Sequence, residues 1–381
     1  EAQLTTDSLD FYSEQNYAYY YDGGKIVSED KTITSKLGHY YSNKKMAFFK
    51  DSVTVISPDY TVKADTLNYD TENEIAYFTG PTNIDSDTSH LYCEKGWYKT
   101  NENQFLFTKK ARYQKQERIL KGDTLYYDEP SGFGQIKSNA EIIDTTQKII
   151  LKGNYSEYTE NPQTAFLTDS AMMIQFDNDN DSLFMHADTL KSHYDSSGKH
   201  KIFKAFYKVK FYKTDLQGKC DSLTYSMQDS TIRMYTDPVI WSDSNQIFAQ
   251  YINIHMKENE VDSFYLTNNS FIISRQAKDK FNQIKGKKMS GYVENNHIKN
   301  VFVDGNGETI YYTKDKNEIV GVNKALSSNL IITLRENDVV RINLVKSPDG
   351  TLFPLGDLEE TKLKGFQWYG KQRPRSKFDI F

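Results

Sequence analysis

The sequence contains few cysteines, few prolines and no long apolar run. Its 381 residues include 2 Cys and 8 Pro. A transmembrane helix is excluded because no stretch of about 18 consecutive apolar residues occurs. Cys93 and Cys220 are too far apart in the sequence to suggest a disulfide framework or a metal site, so we interpret each as a small buried or surface residue. No signal peptide follows Glu1, which is expected of a mature or trimmed chain.

Common catalytic and cofactor motifs are also missing. The sequence has no GxSxG elbow, P-loop, HExxH pair or dinucleotide-binding fingerprint, and these are the local signatures of many hydrolases, NTPases, metalloproteases and dehydrogenases. The formal net charge of −5 argues against nucleic acid as a main partner. We therefore predict a protein without enzymatic activity, cofactor, metal site or nucleic-acid partner.

Aromatic residues, in contrast, are abundant and follow a repeated strand pattern. The 28 Tyr and 22 Phe favour β-strands. In one nine-residue pattern, apolar residues alternate with others on both sides of a break residue. Its copies cover 18–26, 47–55, 76–84, 105–113, 134–142, 165–173, 203–211, 233–241 and 264–272, with a late copy near Val301–Ile310. The breaks fall at 22, 51, 80, 109, 138, 169, 207, 237 and 268, and this regular spacing indicates a stacked array of repeats.

A second extended segment precedes the nine-residue pattern in each repeat. Residues 64–70 (ADTLNYD) resemble residues 6–12, 122–128, 187–193 and 220–226, and short polar linkers join the two segments as hairpin turns. The apolar phase slips by one residue across Asp65-Thr66, as it does at a β-bulge. We therefore predict antiparallel hairpins whose strands are bent, with one half of each strand in each of two sheets.

Three groups of polar residues suggest chemistry at first sight. Aspartates recur at the strand corners, and we predict that they hydrogen-bond the backbone there; they are Asp65, Asp123, Asp188 and Asp221. Residues 177–181 (DNDND) lack the glycine and distal glutamate of an EF-hand loop, so we interpret them as a solvated hairpin loop. His186, His193 and His200 have no second group of ligands nearby and are interpreted as surface histidines.

The register of the repeats divides the chain into three parts. Residues 1–290 contain the repeats of about 29–38 residues, residues 291–353 continue as diverged terminal hairpins, and residues 354–381 form a tail. The terminal hairpins are predicted to turn at 336–338 and 348–350. The tail is predicted either to cap the repeat array or to dock on another surface. The alternative is a partly ordered terminus.

The combination of ADTLNYD, a hairpin and AYFTGPTNI (76–84) resembles the repeat of the OstA/LptA family of lipopolysaccharide-transport proteins. The C-terminal part looks like a longer OstA-like version, and the resemblance covers most of the chain. It implies an all-β fold, an elongated antiparallel β-jellyroll that is V-shaped or taco-like in section. The family's corner glycine is present at Gly80 but is replaced elsewhere, for example by Asp51 and Lys109.

The resemblance also implies a location, a ligand and partners. The location is the periplasm of a Gram-negative bacterium, and the ligand is lipopolysaccharide or lipooligosaccharide, whose acyl chains travel in an open apolar groove. The partners are the inner-membrane export complex, the outer-membrane translocon and further copies of the chain, joined by edge-strand pairing. The N-terminal edge near Thr5–Tyr12 starts within a repeat, which suggests a missing N-terminal portion or a partner there.

The candidate groove residues occupy the inward-facing positions of the repeat. They are Phe49, Val55, Leu67, Phe78, Ile84, Phe107, Tyr113, Leu125, Ile136, Ile142, Leu167, Met173, Phe211, Leu223, Tyr235, Trp241, Leu266 and Ile272. A closed, filled core would show the same pattern, so a structural or interaction scaffold of an envelope complex stays open as an alternative. A carbohydrate-processing β-solenoid would need a dense carboxylate cluster on one outer face, and the sequence offers none.

Overall fold

The structure, a computed structural model, describes residues 2–28, 30–176, 182–258, 260–295, 297–316, 318–335 and 338–381. Within these ranges every regular element is a β-strand, and the strands pair in antiparallel fashion. The predicted all-β antiparallel class is therefore confirmed. The same ranges contain no helix that is long and apolar enough to cross a membrane. The chain divides into two compact units, Glu1–Gln175 (unit 1) and Phe176–Phe381 (unit 2).

Unit 1 contains fifteen strands in its described part. They are β1 (Gln3–Thr6), β2 (Asp10–Tyr12), β3 (Tyr17–Tyr20), β4 (Gly24–Val27), β5 (Thr32–Ser35), β6 (Leu37–Tyr41), β7 (Met46–Ile56), β8 (Tyr60–Asp70), β9 (Ile75–Ser86), β10 (Ser89–Lys99), β11 (Gln104–Lys115), β12 (Arg118–Asp128), β13 (Phe133–Asp144), β14 (Ile149–Thr159) and β15 (Thr164–Gln175). From β7 onward each strand pairs with the next one along the chain, as expected for successive hairpins.

Unit 2 contains thirteen strands in its described part. They are β16 (Leu183–Tyr194), β17 (Lys201–Tyr212), β18 (Leu216–Ser226), β19 (Thr231–Tyr235), β20 (Val239–Ser242), β21 (Asn245–Phe248), β22 (Tyr251–Lys257), β23 (Glu260–Ala277), β24 (Lys280–Glu294), β25 (His297–Asp315), β26 (Glu318–Arg335), β27 (Asp338–Val345) and β28 (Asp349–Pro354). β19 and β20 both pair with β18, so together they occupy the place of one bent strand.

The long strands are bent by pairs of residues with left-handed backbone. In β7, Asp51 (φ 62°) and Ser52 (φ 56°) lie opposite Asp65 alone, which makes the corner a β-bulge. Equivalent pairs are Lys109-Lys110, Ser138-Asn139, Asp169-Ser170, Tyr207-Lys208, Thr236-Asp237 and Asn268-Asn269, and Gly80 (φ 89°) and Gly305 (φ 80°) serve two further corners. Because this conformation costs about 1–2 kcal/mol for each non-glycine residue, packing on both sides of the corner must offset it.

These corners divide each unit into two half-sheets. In unit 1, half-sheet A contains strand halves such as 66–70, 75–79 and 104–108, and half-sheet B contains halves such as 60–64, 82–86 and 111–115. Their inner faces touch. Phe105 and Tyr127 of half-sheet A pack against Tyr113 of half-sheet B, with ring centroids 5.4 and 4.5 Å apart. The predicted pair of facing bent sheets is confirmed in this unit.

In unit 2, half-sheet B is apolar on both faces. Its inner face carries a row of four isoleucines on paired strands, namely Ile240, Ile247, Ile272 and Ile284. Its outer face carries Val239, Trp241, Phe248, Phe271 and Ile273, and all of these are buried. A second layer of the protein must therefore cover the outer face.

Residues 355–381, named here the C-terminal segment, form that layer. Leu363 joins the outer-face cluster, and Phe366, Trp368 and Tyr369 pack against it. The segment crosses the strands in short steps, each closed by a turn, with backbone bonds from Phe366 N–H to Leu363 O (2.9 Å) and from Gln372 N–H to Tyr369 O (2.7 Å). It thus adds an outer layer without adding a strand.

Three buried glutamines on the outer face bind this segment. Gln217, Gln246 and Gln283 lie in one row on alternate strands of half-sheet B. The Gln246 side chain donates from Nε2 to the carbonyl oxygen of Gln367 (2.8 Å), and its Oε1 accepts from the N–H of Tyr369 (2.7 Å). One side-chain amide therefore satisfies two backbone groups that the packing buries.

Gln283 repeats the arrangement six residues earlier in the segment. Its Nε2 donates to the carbonyl oxygen of Thr361 (2.9 Å), and its Oε1 accepts from the N–H of Leu363 (2.9 Å). At the third position, Oε1 of Gln217 accepts from Nε of Arg373 (2.7 Å). The contacts at 361, 367 and 373 are evenly spaced, so the segment advances by six residues for every two strands it crosses.

Candidate functional site

An apolar cleft between the inner faces of unit 1 is the candidate site. Its volume is about 280 Å³. The floor is formed by aliphatic and aromatic side chains from both half-sheets, including Ile33, Val62, Leu67, Phe78 and Leu91. Both walls belong to strands whose other face is wet, so strand alternation alone directs these side chains inward.

The cleft reaches solvent at the hairpin loops. Asp59, Thr88 and Asn103 line it and are exposed. Lys31 and Lys115 add positive charge to the same rim. The site therefore combines an apolar interior with polar and cationic groups at its mouth, which is the arrangement that an amphiphile requires.

Titratable groups at the rim are affected by burial. Desolvation raises the pKa of the Glu129 carboxyl, while nearby Lys115 opposes that shift. Burial also raises the pKa of the Tyr98 and Tyr113 hydroxyls, so both stay neutral. The tyrosine hydroxyls of this wall are thus uncharged, and Lys115 Nζ lies 3.0 Å from Oε2 of Glu160.

A second cavity of about 230 Å³ adjoins the cleft and shares Tyr113 and Lys115 with it. Its lining is more polar and includes Arg118, Tyr158 and Glu160. The guanidinium of Arg118 donates from Nη1 to the Tyr158 hydroxyl (2.8 Å). Unit 1 therefore has two adjoining cavities, of which the first is apolar and the second more polar.

The structure buries sixteen of the eighteen predicted groove residues on the inner faces. They are Phe49, Val55, Leu67, Phe78, Ile84, Phe107, Tyr113, Leu125, Ile136, Ile142, Leu167, Met173, Phe211, Leu223, Leu266 and Ile272, each less than 9% exposed. Of these, Val55, Leu67, Phe78, Ile84 and Tyr113 line the cleft. Phe107, Leu125, Ile136 and Leu167 are fully enclosed, so their repeats have a filled interior.

The predicted inward positions of Tyr235 and Trp241 are wrong. Tyr235 is 37% exposed, and Met234, which pairs with Leu223, takes the inward place. Trp241 is buried on the outer face beneath the C-terminal segment, and Ile240 takes its inward place. The cause is a corner that starts at Thr236, one residue before the predicted break, and lasts three residues.

The other polar candidates have structural surroundings. Asp123 Oδ2 accepts from Nδ2 of Asn139 (2.9 Å), and Asp65 Oδ2 accepts from the Thr66 hydroxyl (3.2 Å). The prediction of backbone partners is wrong for these two aspartates, because the side chains of the corners are closer. Cys93 and Cys220 are free and buried, and burial raises the pKa of each thiol to about 12. In the described part of the chain no group of acidic, His or Cys residues could hold a metal ion.

The histidines are partly buried rather than fully exposed. His186 and His193 are each half-buried, and His200 Nδ1 lies 3.0 Å from Asp195 Oδ2. Residues 177–181, predicted as a solvated loop, lie outside the described residues, as do 336 and 337 of a predicted turn. Ile33, Val62 and Leu91 line the cleft but were not among the candidates; their signal was the alternation of the first segments, which matches that of Ile84.

Comparisons with known proteins find two family models, each matching a separate part of the chain. The family model described as OstA-like protein matches residues 1–65, and the model described as LptA/(LptD N-terminal domain) LPS transport protein matches residues 179–260. No curated protein sequence matches the chain. Among solved structures, one similar chain is LptH, the LptA homologous periplasmic component of the lipopolysaccharide transport device from Pseudomonas aeruginosa. It is 13% identical, the match covers 34% of this chain and 76% of LptH, and the TM-score is 0.22. The two matched ranges, residues 1–65 and 179–260, are thus similar to OstA-like proteins and to LptA/LptD N-terminal lipopolysaccharide-transport proteins, respectively.

Proposed function

We propose that the chain is a non-enzymatic carrier that moves lipopolysaccharide or lipooligosaccharide between the inner and outer membranes of a Gram-negative bacterium. The observation that carries the proposal is the apolar cleft of unit 1, open at its hairpin loops. Acyl chains would lie against Phe78 and Ile84, and the phosphorylated sugars would stay at the rim near Lys31 and Lys115.

The physical advantage of such a cleft is continuous shelter. Each methylene that leaves water contributes about 0.8 kcal/mol, so an acyl chain cannot cross the periplasm unassisted. The inner faces offer many similar apolar side chains and no single strong site. Within the cleft, a ligand can therefore shift along these side chains without meeting a deep energy minimum.

Edge strands support the proposed partners. In unit 1, β1 pairs with β4 and β2 pairs with β3, and in unit 2, β27 and β28 each pair with β26. Each of these four strands has one partner among the described strands, so its other edge can accept a strand of another chain. We assign the inner-membrane export complex, the outer-membrane translocon or a second copy to these edges, in the periplasm.

A photo-crosslinking experiment tests the proposal. A photoreactive phenylalanine at Phe78 or Ile84 should form an adduct with lipopolysaccharide in cells. The matched control is Tyr77, the preceding residue of β9, which is 39% exposed and faces outward. Adducts at none of the cleft positions, in a folded protein, would remove the carrier function; equal adducts at Tyr77 would show non-specific contact.

A second function, an interaction scaffold with a filled interior, is favoured by one observation. Phe105, Phe107, Leu125 and Ile136 are 0% exposed, so the repeats after the cleft have the packing of an ordinary core. A scaffold predicts that widening the interior, for example by Phe107→Ala, lowers stability without changing lipid capture at Phe78. A carrier predicts that both change together.

A further inference from the structure

The C-terminal segment ends in a surface whose chemistry differs from that of the whole chain. Residues 362–381 contain six Lys or Arg and one Asp, in a chain with a net charge of −5. We name residues 371–381 the basic tip. Phe378 is 74% exposed and Phe381 is 58% exposed. In the described ranges no other large apolar side chain is as exposed as Phe378.

The basic tip has a fixed conformation. Ile380 is 0% exposed and holds the tip on unit 2. The Asp379 carboxylate accepts hydrogen bonds from the N–H groups of Arg375 (2.8 Å) and Ser376 (3.0 Å), which closes a tight turn. Lys210 Nζ donates to the main-chain oxygen of Phe381 (3.1 Å). The two phenylalanines are therefore displayed by a structured turn on either side of a buried anchor.

Three exposed cations share the basic tip with the two exposed rings. Lys371, Arg375 and Lys377 are exposed, and none of them forms an ion pair with a carboxylate that the structure describes. Lys377 Nζ lies 5.4 Å from the ring centre of Phe378. The one acidic residue of the tip, Asp379, is occupied by its own backbone. The tip thus presents aromatic rings and unpaired positive charge together.

We propose that the basic tip docks on the surface of a bilayer that contains anionic phospholipid. Aromatic rings enter the headgroup region, and lysine and arginine side chains bind lipid phosphates. Either signal alone gives weak binding, and the combination is what holds a peripheral protein on a membrane. The inference does not depend on lipid transport through the cleft of unit 1, because it uses residues of unit 2 only.

Vesicle co-sedimentation of the full chain tests the docking. Vesicles of phosphatidylcholine with 30% phosphatidylglycerol should bind the protein at low salt, and pure phosphatidylcholine vesicles should bind it much less. Because Coulomb attraction supplies most of the affinity, added salt should reduce binding. No sedimentation with the anionic vesicles would overturn the proposal.

Two variants separate the contributions of the tip. Lys371→Ala/Arg375→Ala/Lys377→Ala should weaken binding by about 100-fold, since each cation near an anionic surface contributes about 1 kcal/mol. Phe378→Ser/Phe381→Ser should weaken binding by about tenfold or more. All these side chains are exposed, so the variants should keep the wild-type unfolding midpoint.

Matched controls remove the same chemistry elsewhere in unit 2. Lys278→Ala/Lys287→Ala/Lys288→Ala removes three exposed lysines, and Tyr292→Ser/Phe302→Ser removes two exposed aromatic residues. Both controls should bind vesicles like the wild type; an equal loss would assign the binding to general charge or hydrophobicity. Retention on immobilised lipopolysaccharide without binding to phosphatidylglycerol vesicles would also overturn the proposal, because the tip would then recognise the phosphates of a single lipid rather than a membrane.

Discussion

Half-sheet B has a polar outer face in unit 1 and an apolar outer face in unit 2. In unit 1, one outer row contains Arg112, Lys121, Glu141 and Lys152 on successive strands, and Lys152 Nζ lies 2.6 Å from Oε1 of Glu141. In unit 2, an outer row alternates glutamine with large apolar residues such as Trp241 and is covered by the C-terminal segment. Apart from the three-residue corner at 236–238, the corners and inner faces follow one design in both units, so the outward positions decide what each exterior can bind.

This difference follows from strand alternation. Inward and outward positions are independent, because successive side chains point to opposite faces. A unit with a charged exterior is complete once its two inner faces pack. A unit with an apolar exterior needs a third layer, and here the chain supplies it from its own C-terminal segment.

Removal of the C-terminal segment tests the comparison most severely. A chain cut after Pro354 would expose Trp241, Phe271 and Ile273. Since burial of each such side chain contributes about 1.5–3 kcal/mol, the free energy of unfolding of unit 2 should fall by about 4.5–9 kcal/mol. Hydrogen exchange should show lost protection in β20, β21 and β23, with unchanged protection in β9 and β11. A truncated chain that unfolds like the full chain would mean that the C-terminal segment does not stabilise unit 2.

Gln246→Leu should produce the next largest effect. The change leaves the carbonyl of Gln367, the N–H of Tyr369 and the indole N–H of Trp241 without their partner, and unsatisfied buried groups cost about 1–3 kcal/mol each. We expect the free energy of unfolding, measured by denaturant titration, to fall by about 3 kcal/mol. Gln135→Leu is the matched control in unit 1, because the Gln135 side chain donates a hydrogen bond to the partly exposed Tyr155 hydroxyl. This variant should lower the free energy of unfolding by less than about 1 kcal/mol.

Corner substitutions should give a smaller effect, equal in the two units. Ser138 (φ 60°) and Tyr207 (φ 63°) are exposed residues in left-handed backbone. Glycine at either position relieves the backbone strain, and its greater freedom in the unfolded chain offsets part of that stabilisation. The free energy of unfolding of each variant should therefore rise by about 0.5–1 kcal/mol. The opposite change, Gly80→Ala, should destabilise, because a Cβ there would lie 2.8 Å from that of Asp65. Unequal gains at 138 and 207, measured by thermal unfolding, would show that the units differ in their corners as well as their faces.

Much of this architecture could be predicted from the sequence, and the failures have physical causes. Alternation and break residues located the corners, because a bulge changes the apolar phase of a strand in a visible way. The sequence does not reveal the three-residue corner at 236–238. Residues 233–241 still fit the nine-residue pattern, although the extra corner residue moves Trp241 to the other face. The single-residue error then propagated to every outward or inward assignment in β19 and β20.

The path of the C-terminal segment was not predictable from alternation. It depends on an outer face that is apolar only in unit 2. It also depends on buried glutamines, which look like ordinary exposed polar residues when only the repeat pattern is considered. A signal did exist: the tripeptide Asn-Gln-Ile occurs at 245–247 and again at 282–284. A glutamine that recurs between apolar residues on a strand buried on both faces indicates a covering segment. The backbone N–H and C=O groups of that segment need hydrogen-bond partners, and the glutamine amide supplies them.

The smallest expected effect concerns a corner ion pair in unit 1. Hydrogen bonds from Lys109 and Lys110, each 2.7 Å from a Glu94 oxygen, lower the pKa of that carboxyl to about 2. A lowered pKa stabilises the folded chain fully above the ordinary value of 4.5, and the stabilisation is lost as the pH falls through about 2. The two lysines are more than 70% exposed, so solvent screens the pair and the change in stability should be slight. An NMR titration of Glu94 should nevertheless give a midpoint near 2 that returns toward 4.5 in Lys109→Ala/Lys110→Ala. A midpoint near 4.5 in the unmodified chain would mean that the corner charges of unit 1, unlike its outer-face charges, do not interact.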